Sequence, residues 1–191
     1  LIVSIGSWAL TSAVDRLVAW RRRGGSSGGL TVSVNLSARQ VSQRELVDQV
    51  LRLVQSRDLP PSALRLEISE DGLAEIQGPR ARILAQLDAI GTPLDLDDFG
   101  VGATSLASLE LFPFSRVKID RSVVARAAAE PDAAGLLRAI IQSARTLGLE
   151  TLAEGVETEN EARVVTELGC YLGQGYLFGP PATAEDVERT L

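Results

Sequence analysis

Histidine is absent from the 191 residues, which removes the commonest general base and the commonest ligand of transition metals. Any cation held here would be held by oxygen atoms, which favours Mg²⁺, Mn²⁺ or Ca²⁺. Cysteine occurs once, as Cys170, so an internal disulfide framework is excluded and a reducing compartment fits. Methionine is missing and the chain starts at Leu1, so the sequence reads as a piece of a longer polypeptide. Lysine is nearly missing: of 19 basic residues, 18 are arginine and one is Lys118. A sequence that uses arginine wherever a plain cation suffices marks its lone ammonium as chemically required. A compact donor with an adjustable pKa is not replaceable by a planar guanidinium. No uninterrupted apolar run approaches the roughly 18 residues of a membrane span, and there is no signal-peptide pattern.

What is present is an ordinary globular balance, 45% hydrophobic and 23% charged, in a length that suits one domain with a sizeable core. The formal net charge of −6 argues against a broad nucleic-acid footprint, so no DNA partner is expected. An anionic ligand would need metal ions or a local basic group to offset that background.

Apolar residues from Ile2 to Arg23 recur with helical spacing. The glycine- and serine-rich stretch 24–29 follows. One helix cannot bury a core alone, so this stretch is expected to be an internal loop rather than a domain linker. A rhythm then begins. Strands are expected at Leu30 to Leu36, Leu64 to Ile68, Leu94 to Asp97, Ser115 to Ile119, Glu150 to Ala153 and Tyr171 to Leu177. Helices are expected around 46–54, 83–90, 105–111, 136–147, 159–168 and 184–191, several of them closed by glycine. Six strand–helix units in a row imply parallel strands with right-handed crossovers. An open doubly wound sheet and a (β/α)₈ barrel both satisfy this. Nearly every strand ends in a polar residue: Asn35, Glu67, Asp97, Lys118, Glu154, Gln174. A barrel brings all such ends to one mouth, so a TIM-like barrel is favoured, incomplete here because about two strands are missing on the N-terminal side.

Asn35, Glu67, Asp97, Asp98 and Glu154 supply only oxygen ligands. Four carboxylates at one mouth repel unless cations lie between them. Two divalent ions sharing Asp97 would relieve this and form a two-metal site for in-line attack on a phosphate ester. Lys118 could orient or deprotonate water, or stabilise charge on phosphate. Singly, each has a plainer reading: Asp98 as a helix cap, Asn35 as a turn residue, and Glu67 and Glu154 as solvated loop residues. Alternation also points Arg65 and Asp95 inward one layer below these groups, where they are expected to form a buried pair.

The words Val34-Asn35-Leu36-Ser37-Ala38-Arg39-Gln40, Leu66-Glu67-Ile68-Ser69-Glu70, Asp97-Asp98-Phe99-Gly100, Lys118-Ile119-Asp120-Arg121-Ser122, Ala153-Glu154-Gly155-Val156-Glu157-Thr158 and Gln174-Gly175-Tyr176-Leu177-Phe178-Gly179 resemble the EAL domain family. These are bacterial phosphodiesterases that linearise cyclic di-GMP. The six motifs stand in the family's order and cover essentially the whole chain. The resemblance implies a modified (β/α)₈ barrel and hydrolysis of cyclic di-GMP to linear pGpG with two Mg²⁺ or Mn²⁺ ions. It implies that Asn35, Glu67 and Asp97 bind one ion, and that Asp97, Asp98 and Glu154 serve the second, with Glu154 also a base. Lys118 would contact the attacking water. Glu70 would brace the loop after Asp98, Gln174 and Glu157 would line or support the site, and Asp120 would be supporting. It further implies a homodimer, fusion to GGDEF or sensory domains, and a cytoplasmic location, alone or as the cytoplasmic part of a membrane-tethered protein.

Two departures stand out. The Glu-Ala-Leu tripeptide and its following Arg are absent and are expected upstream of Leu1. Residues 1–191 are thus expected to be an EAL domain lacking its first strands and inactive alone. The loop after Asp98 reads Val101-Gly102-Ala103, where the family usually has Thr-Gly-Tyr. The rivals are a degenerate EAL domain acting as a cyclic di-GMP receptor and a regulatory or dimerisation module.

Overall fold

The computed structural model describes residues 1–23, 28–76, 78–102 and 106–190. The chain forms two compact units. The first comprises 1–68, 72–94 and 182–191, and the second comprises 69–71 and 95–181.

In the first unit, helix α1 (Ile2–Arg21) packs on strand β1 (Val32–Asn35) and helices α2 (Ala38–Val41) and α3 (Leu46–Gln55). The stretch 24–29 therefore connects parts of one unit, as a helix in need of a partner surface requires. Leu10, Val14 and Leu17 are fully buried along one face of α1. Gly6 lies where α1 meets Gln40, and a Cβ there would run into the Gln40 side chain. Gln40 is held by a capping box with Ser37, whose hydroxyl accepts from the Gln40 N–H. The absence of a membrane-length stretch needs correcting to one extent. By length and composition alone α1 could cross a membrane, with a mean hydropathy of 1.2 over an 18-residue window. Thr11, Asp15 and Arg16 interrupt the apolar run, and the inner face of α1 is already used by the unit's core.

β1 pairs in parallel with β2 (Leu64–Ser69), with Asn35 opposite Glu67. Leu64, Leu66 and Ile68, which alternate onto one face of β2, are fully buried. Helix α4 spans Glu70–Ala74 and helix α5 spans Pro79–Ala89. The last helix, α9 (Ala184–Thr190), is tied to α1 by the Arg16–Glu185 ion pair at 3.0 Å and to the residues just after α1 by Arg23–Glu188 at 2.6 Å.

The second unit contains most of β3 (Leu94–Phe99), then β4 (Phe114–Ile119), α6 (Arg121–Ala129), α7 (Ala134–Thr146), β5 (Glu150–Ala153), α8 (Glu159–Glu167) and β6 (Leu172–Gly173). These strands are hydrogen-bonded in chain order, and β4–β5 and β5–β6 are parallel. Its core combines Leu96, Val117 and Ile119 from the strands with Val124, Leu137, Ile141 and Ala144 from α6 and α7.

Two expectations shift, and one helix appears that was not expected. The stretch 105–111 is a 3₁₀ helix over Leu106–Leu111, with 103–105 outside the described residues. The expected strand at Tyr171 to Leu177 shortens to two residues. There the backbone turns against Val156, whose N–H donates to Gln174 O and whose O accepts from the Leu177 N–H. Helix α6 is not apparent from periodicity, because alanine fills its outer positions and only Val123, Val124 and Ala127 are buried.

Candidate metal and phosphodiester site

Alternation on β3 sends Asp95 and Asp97 to one face, and alternation on β4 does the same for Arg116 and Lys118. The two strands meet in two ionic rungs. Lys118 Nζ lies 2.7 Å from Asp97 Oδ1, and Arg116 Nη1 lies 3.7 Å from Asp95 Oδ2. Asp95 is fully buried and also accepts from Ser115 Oγ at 3.3 Å. Within the second unit the cation facing Asp95 is thus Arg116, two residues before Lys118; Arg65, the expected partner, lies on β2 in the first unit. Arg116 reaches outward as well, to Glu150 Oε2 at 2.8 Å.

The upper rung continues to the residue just after β5. Lys118 Nζ is 2.8 Å from Glu154 Oε1, so one ammonium, 4% exposed, joins Asp97 and Glu154. Gln174, just after β6, donates from Nε2 to the same Glu154 oxygen at 2.8 Å. Asp97, Asp98 and Glu154 each offer a carboxylate oxygen, all within 4.8 Å of one another. An oxygen-only donor set of this spacing fits a hard divalent cation.

Asp98 is not a helix cap. It lies within β3 at φ 56°, a left-handed conformation that aspartate tolerates better than most residues and that costs of order 1–3 kcal/mol. Asp120 is the cap in this neighbourhood, accepting from the Ser122 N–H at 2.8 Å at the start of α6. Glu70 Oε2 accepts from the Gly100 and Gly102 N–H groups at 3.0 and 3.2 Å, fixing the backbone that follows Asp98. Of the two loop departures, Val101 is exposed and Ala103 lies outside the described residues.

Burial pushes the Glu154 carboxyl up from 4.5 to about 7, against the lowering effect of Lys118 and with the help of Asp97 and Asp98. What burial Asp98 has, and then the carboxylates of Asp97 and Asp120, raise its pKa too. Crowded acids of this kind hold protons that a cation would replace.

Asn35 and Glu67 belong to the first unit, where their strands place them side by side in register. Glu157 is exposed, and its backbone N–H donates to Glu161 Oε2. With Gln174 it lines a cleft of about 370 Å³ that also has Arg121 and Tyr176 in its walls. Sequence reasoning passed over these last two. The available signal was an aromatic in a glycine-flanked loop, and Tyr176 is 63% exposed.

Residues 1–181 match the EAL domain family. Over 187 residues the chain is 40% identical to the bifunctional diguanylate cyclase/cyclic di-GMP phosphodiesterase MucR of Pseudomonas aeruginosa, covering 98% of the chain and 27% of MucR. It is 33% identical to the cyclic di-GMP phosphodiesterase PdeR of Escherichia coli, covering 99% of the chain and 28% of PdeR. The chain thus spans about a quarter of the length of these curated relatives. The solved MucR phosphodiesterase in complex with cyclic di-GMP superposes with a TM-score of 0.85 over 98% of the chain and 75% of that structure. The EAL domain of Mycobacterium smegmatis DcpA, 31% identical, superposes at 0.93 over the whole chain and 85% of that structure. Motif order, an α/β fold of the EAL barrel type and an acidic cluster suited to a cation therefore agree: the chain belongs to the EAL domain family.

Proposed function

We propose that the intact domain to which these residues belong hydrolyses one phosphodiester bond of cyclic di-GMP to give linear pGpG, and that residues 1–191 alone are inactive. The observation that carries this is the Asp97–Asp98–Glu154 cluster with Lys118 bridging two of its members. Two divalent ions, Mg²⁺ or Mn²⁺, are the cofactors in this reading. When bound they supply Lewis acidity and offset the charge of the phosphate. In the family pattern Asp97 would be a ligand to both ions, Asn35 and Glu67 would serve one of them, and Asp98 and Glu154 would serve the other. Lys118 orients the attacking water and holds Asp97 and Glu154 apart from each other's charge. Glu154, whose proton leaves near neutral pH, accepts a proton as base. Gln174 fixes its orientation, and Glu70 holds the loop that carries Asp98. The relatives named for this activity support the substrate. Dimerisation, a cytoplasmic location and fusion to GGDEF or sensory domains belong to the same proposal.

The test is turnover of cyclic di-GMP by the complete domain, upstream strands included, with Mg²⁺ or Mn²⁺ and with pGpG separated by chromatography. Lys118→Arg should lower kcat at least a hundredfold while leaving the urea midpoint nearly unchanged. Retained activity would defeat the argument from the lone ammonium. A second reading, a receptor that binds without cleaving, is favoured by the exposed Val101 where the family usually has a polar residue. Tight binding of cyclic di-GMP with no pGpG under either metal would decide for it.

A further inference from the structure

The first unit holds a second feature of distinct chemistry. A cleft of about 530 Å³ is lined by Ser42, Arg44, Arg80, Arg82, Ile83 and Gln86. Its size is in the range of small-molecule sites. Three guanidinium groups share it with no acidic residue in its lining, in a chain whose net charge is −6. Among the described residues, Arg44 and Arg82 form no ion pair or hydrogen bond, and Arg80 only donates to Glu75 O at 3.0 Å. Arginines without a structural partner normally spread over a surface to limit their mutual repulsion; three around one concavity gain by sharing an anion.

The helix geometry points the same way. Arg80 and Arg82 stand in the first turn of α5, and Ile83 and Gln86 follow along it, so the cleft runs beside that helix's positive end. The N-cap is Gly78, with φ 57° and no side chain to accept from the first-turn N–H groups, and Pro79 occupies the first helical position. The positive end is therefore not offset by a capping carboxylate or hydroxyl. The lining contains no aromatic on which a base could stack, so recognition rests on charge and on hydrogen bonds. Guanidinium forks match phosphate oxygens two at a time. Three of them call for more than one phosphate, and the Gln86 amide adds a neutral donor, while the Ser42 hydroxyl already donates to Ala38 O at 2.9 Å.

We propose that this cleft binds a soluble polyphosphate, the diphosphate or triphosphate portion of a nucleotide being the relevant class and inorganic pyrophosphate its minimal form. The site is separate from the Asp97–Asp98–Glu154 centre in residues and in charge, and the proposal does not depend on phosphodiesterase activity.

The test is calorimetric titration of metal-depleted protein with pyrophosphate, in buffer stripped of divalent ions so that the acidic centre does not contribute. Binding should weaken steeply as NaCl rises from 50 to 200 mM, the signature of released counterions. Arg82→Gln should raise Kd at least threefold, and Arg44→Gln/Arg80→Gln/Arg82→Gln at least tenfold. Asp97→Asn should leave Kd unchanged. Circular dichroism and a urea midpoint establish that each variant is folded; if the triple variant is not, the single variant decides. Equal affinity in wild type and the folded Arg82→Gln protein would overturn the proposal. So would the absence of heat with pyrophosphate, including the case in which vesicles of phosphatidylglycerol are bound and vesicles of phosphatidylcholine are not, because the partner would then be a surface.

Discussion

Asp95 has no exposed surface, and the guanidinium that meets it from β4 also faces Glu150. These two contacts differ in worth. Glu150 is 58% exposed in its side chain, so its pair with Arg116 contributes little. Removing one partner of a buried pair leaves a charge in low dielectric, which typically costs 3–5 kcal/mol. Arg116 retains some solvent contact and Asp95 has further partners, which reduces that figure. Arg116→Leu should therefore destabilise by about 2–4 kcal/mol in urea unfolding and Glu150→Gln by less than about 1 kcal/mol. Equal losses would mean that the outer pair matters as much as the inner one. The protonation of Glu154 makes a second expectation at this scale. Its folded pKa, about 7, lies above the ordinary 4.5. The protonated form is the one folding favours, so its contribution is complete below 4.5 and disappears as pH rises through 7. The metal-free protein should thus lose stability from this group between about pH 4.5 and 7 and change little from it above that. A cation needs the carboxylate, so Mn²⁺ affinity should move oppositely, falling by up to about tenfold per pH unit below 7. Calorimetry with Mn²⁺ at pH 6, 7 and 8 checks both the direction and the release of a proton.

At the scale of elements, the contact between α1 and α2 turns on a missing side chain. Gly6 sits inside a 20-residue helix, where alanine would ordinarily gain about 1 kcal/mol of helix propensity. Here the added methyl displaces Gln40 from its bonds with Ser37, and a lost cap costs about 0.5–2 kcal/mol. Gly6→Ala should lower the thermal midpoint, and Gly6→Ala in a Gln40→Ala background should raise it; additive effects in the two backgrounds would remove the coupling. No periodicity reveals such a contact, because it depends on two elements meeting. The strands, by contrast, were legible. Six polar residues at six strand ends were visible as a pattern, and Asp97, Lys118, Glu154 and Gln174 do converge in hydrogen-bonding reach. The shape of their surroundings was hidden. Asp98 in a left-handed conformation, Asp120 rather than Asp98 as the cap, and the turn of 174–177 against Val156 all arise from backbone geometry, not hydrophobic spacing. Helix α6 escaped because alanine carries helix propensity without marking a face.

Across the whole chain, charge is divided by chemistry as well as by sign. Arginine supplies the exposed ion pairs and the lower rung, and the one lysine serves the acidic centre. That lysine is 4% exposed. Lys118 carries the only side-chain amine in the 191 residues. Brief acetylation of the native protein should therefore leave Lys118 unmodified, and an acetyl group should appear on it only in denaturant. Mass spectrometry of the peptide that contains it reads this directly, and rapid modification in the native protein would show that the ammonium is open to solvent. An amine-directed reagent small enough to enter the acidic centre would mark that centre and no other side chain of this stretch. The centre is thus the one lysine address in these 191 residues, available for an isotopic or fluorescent reporter without any mutation.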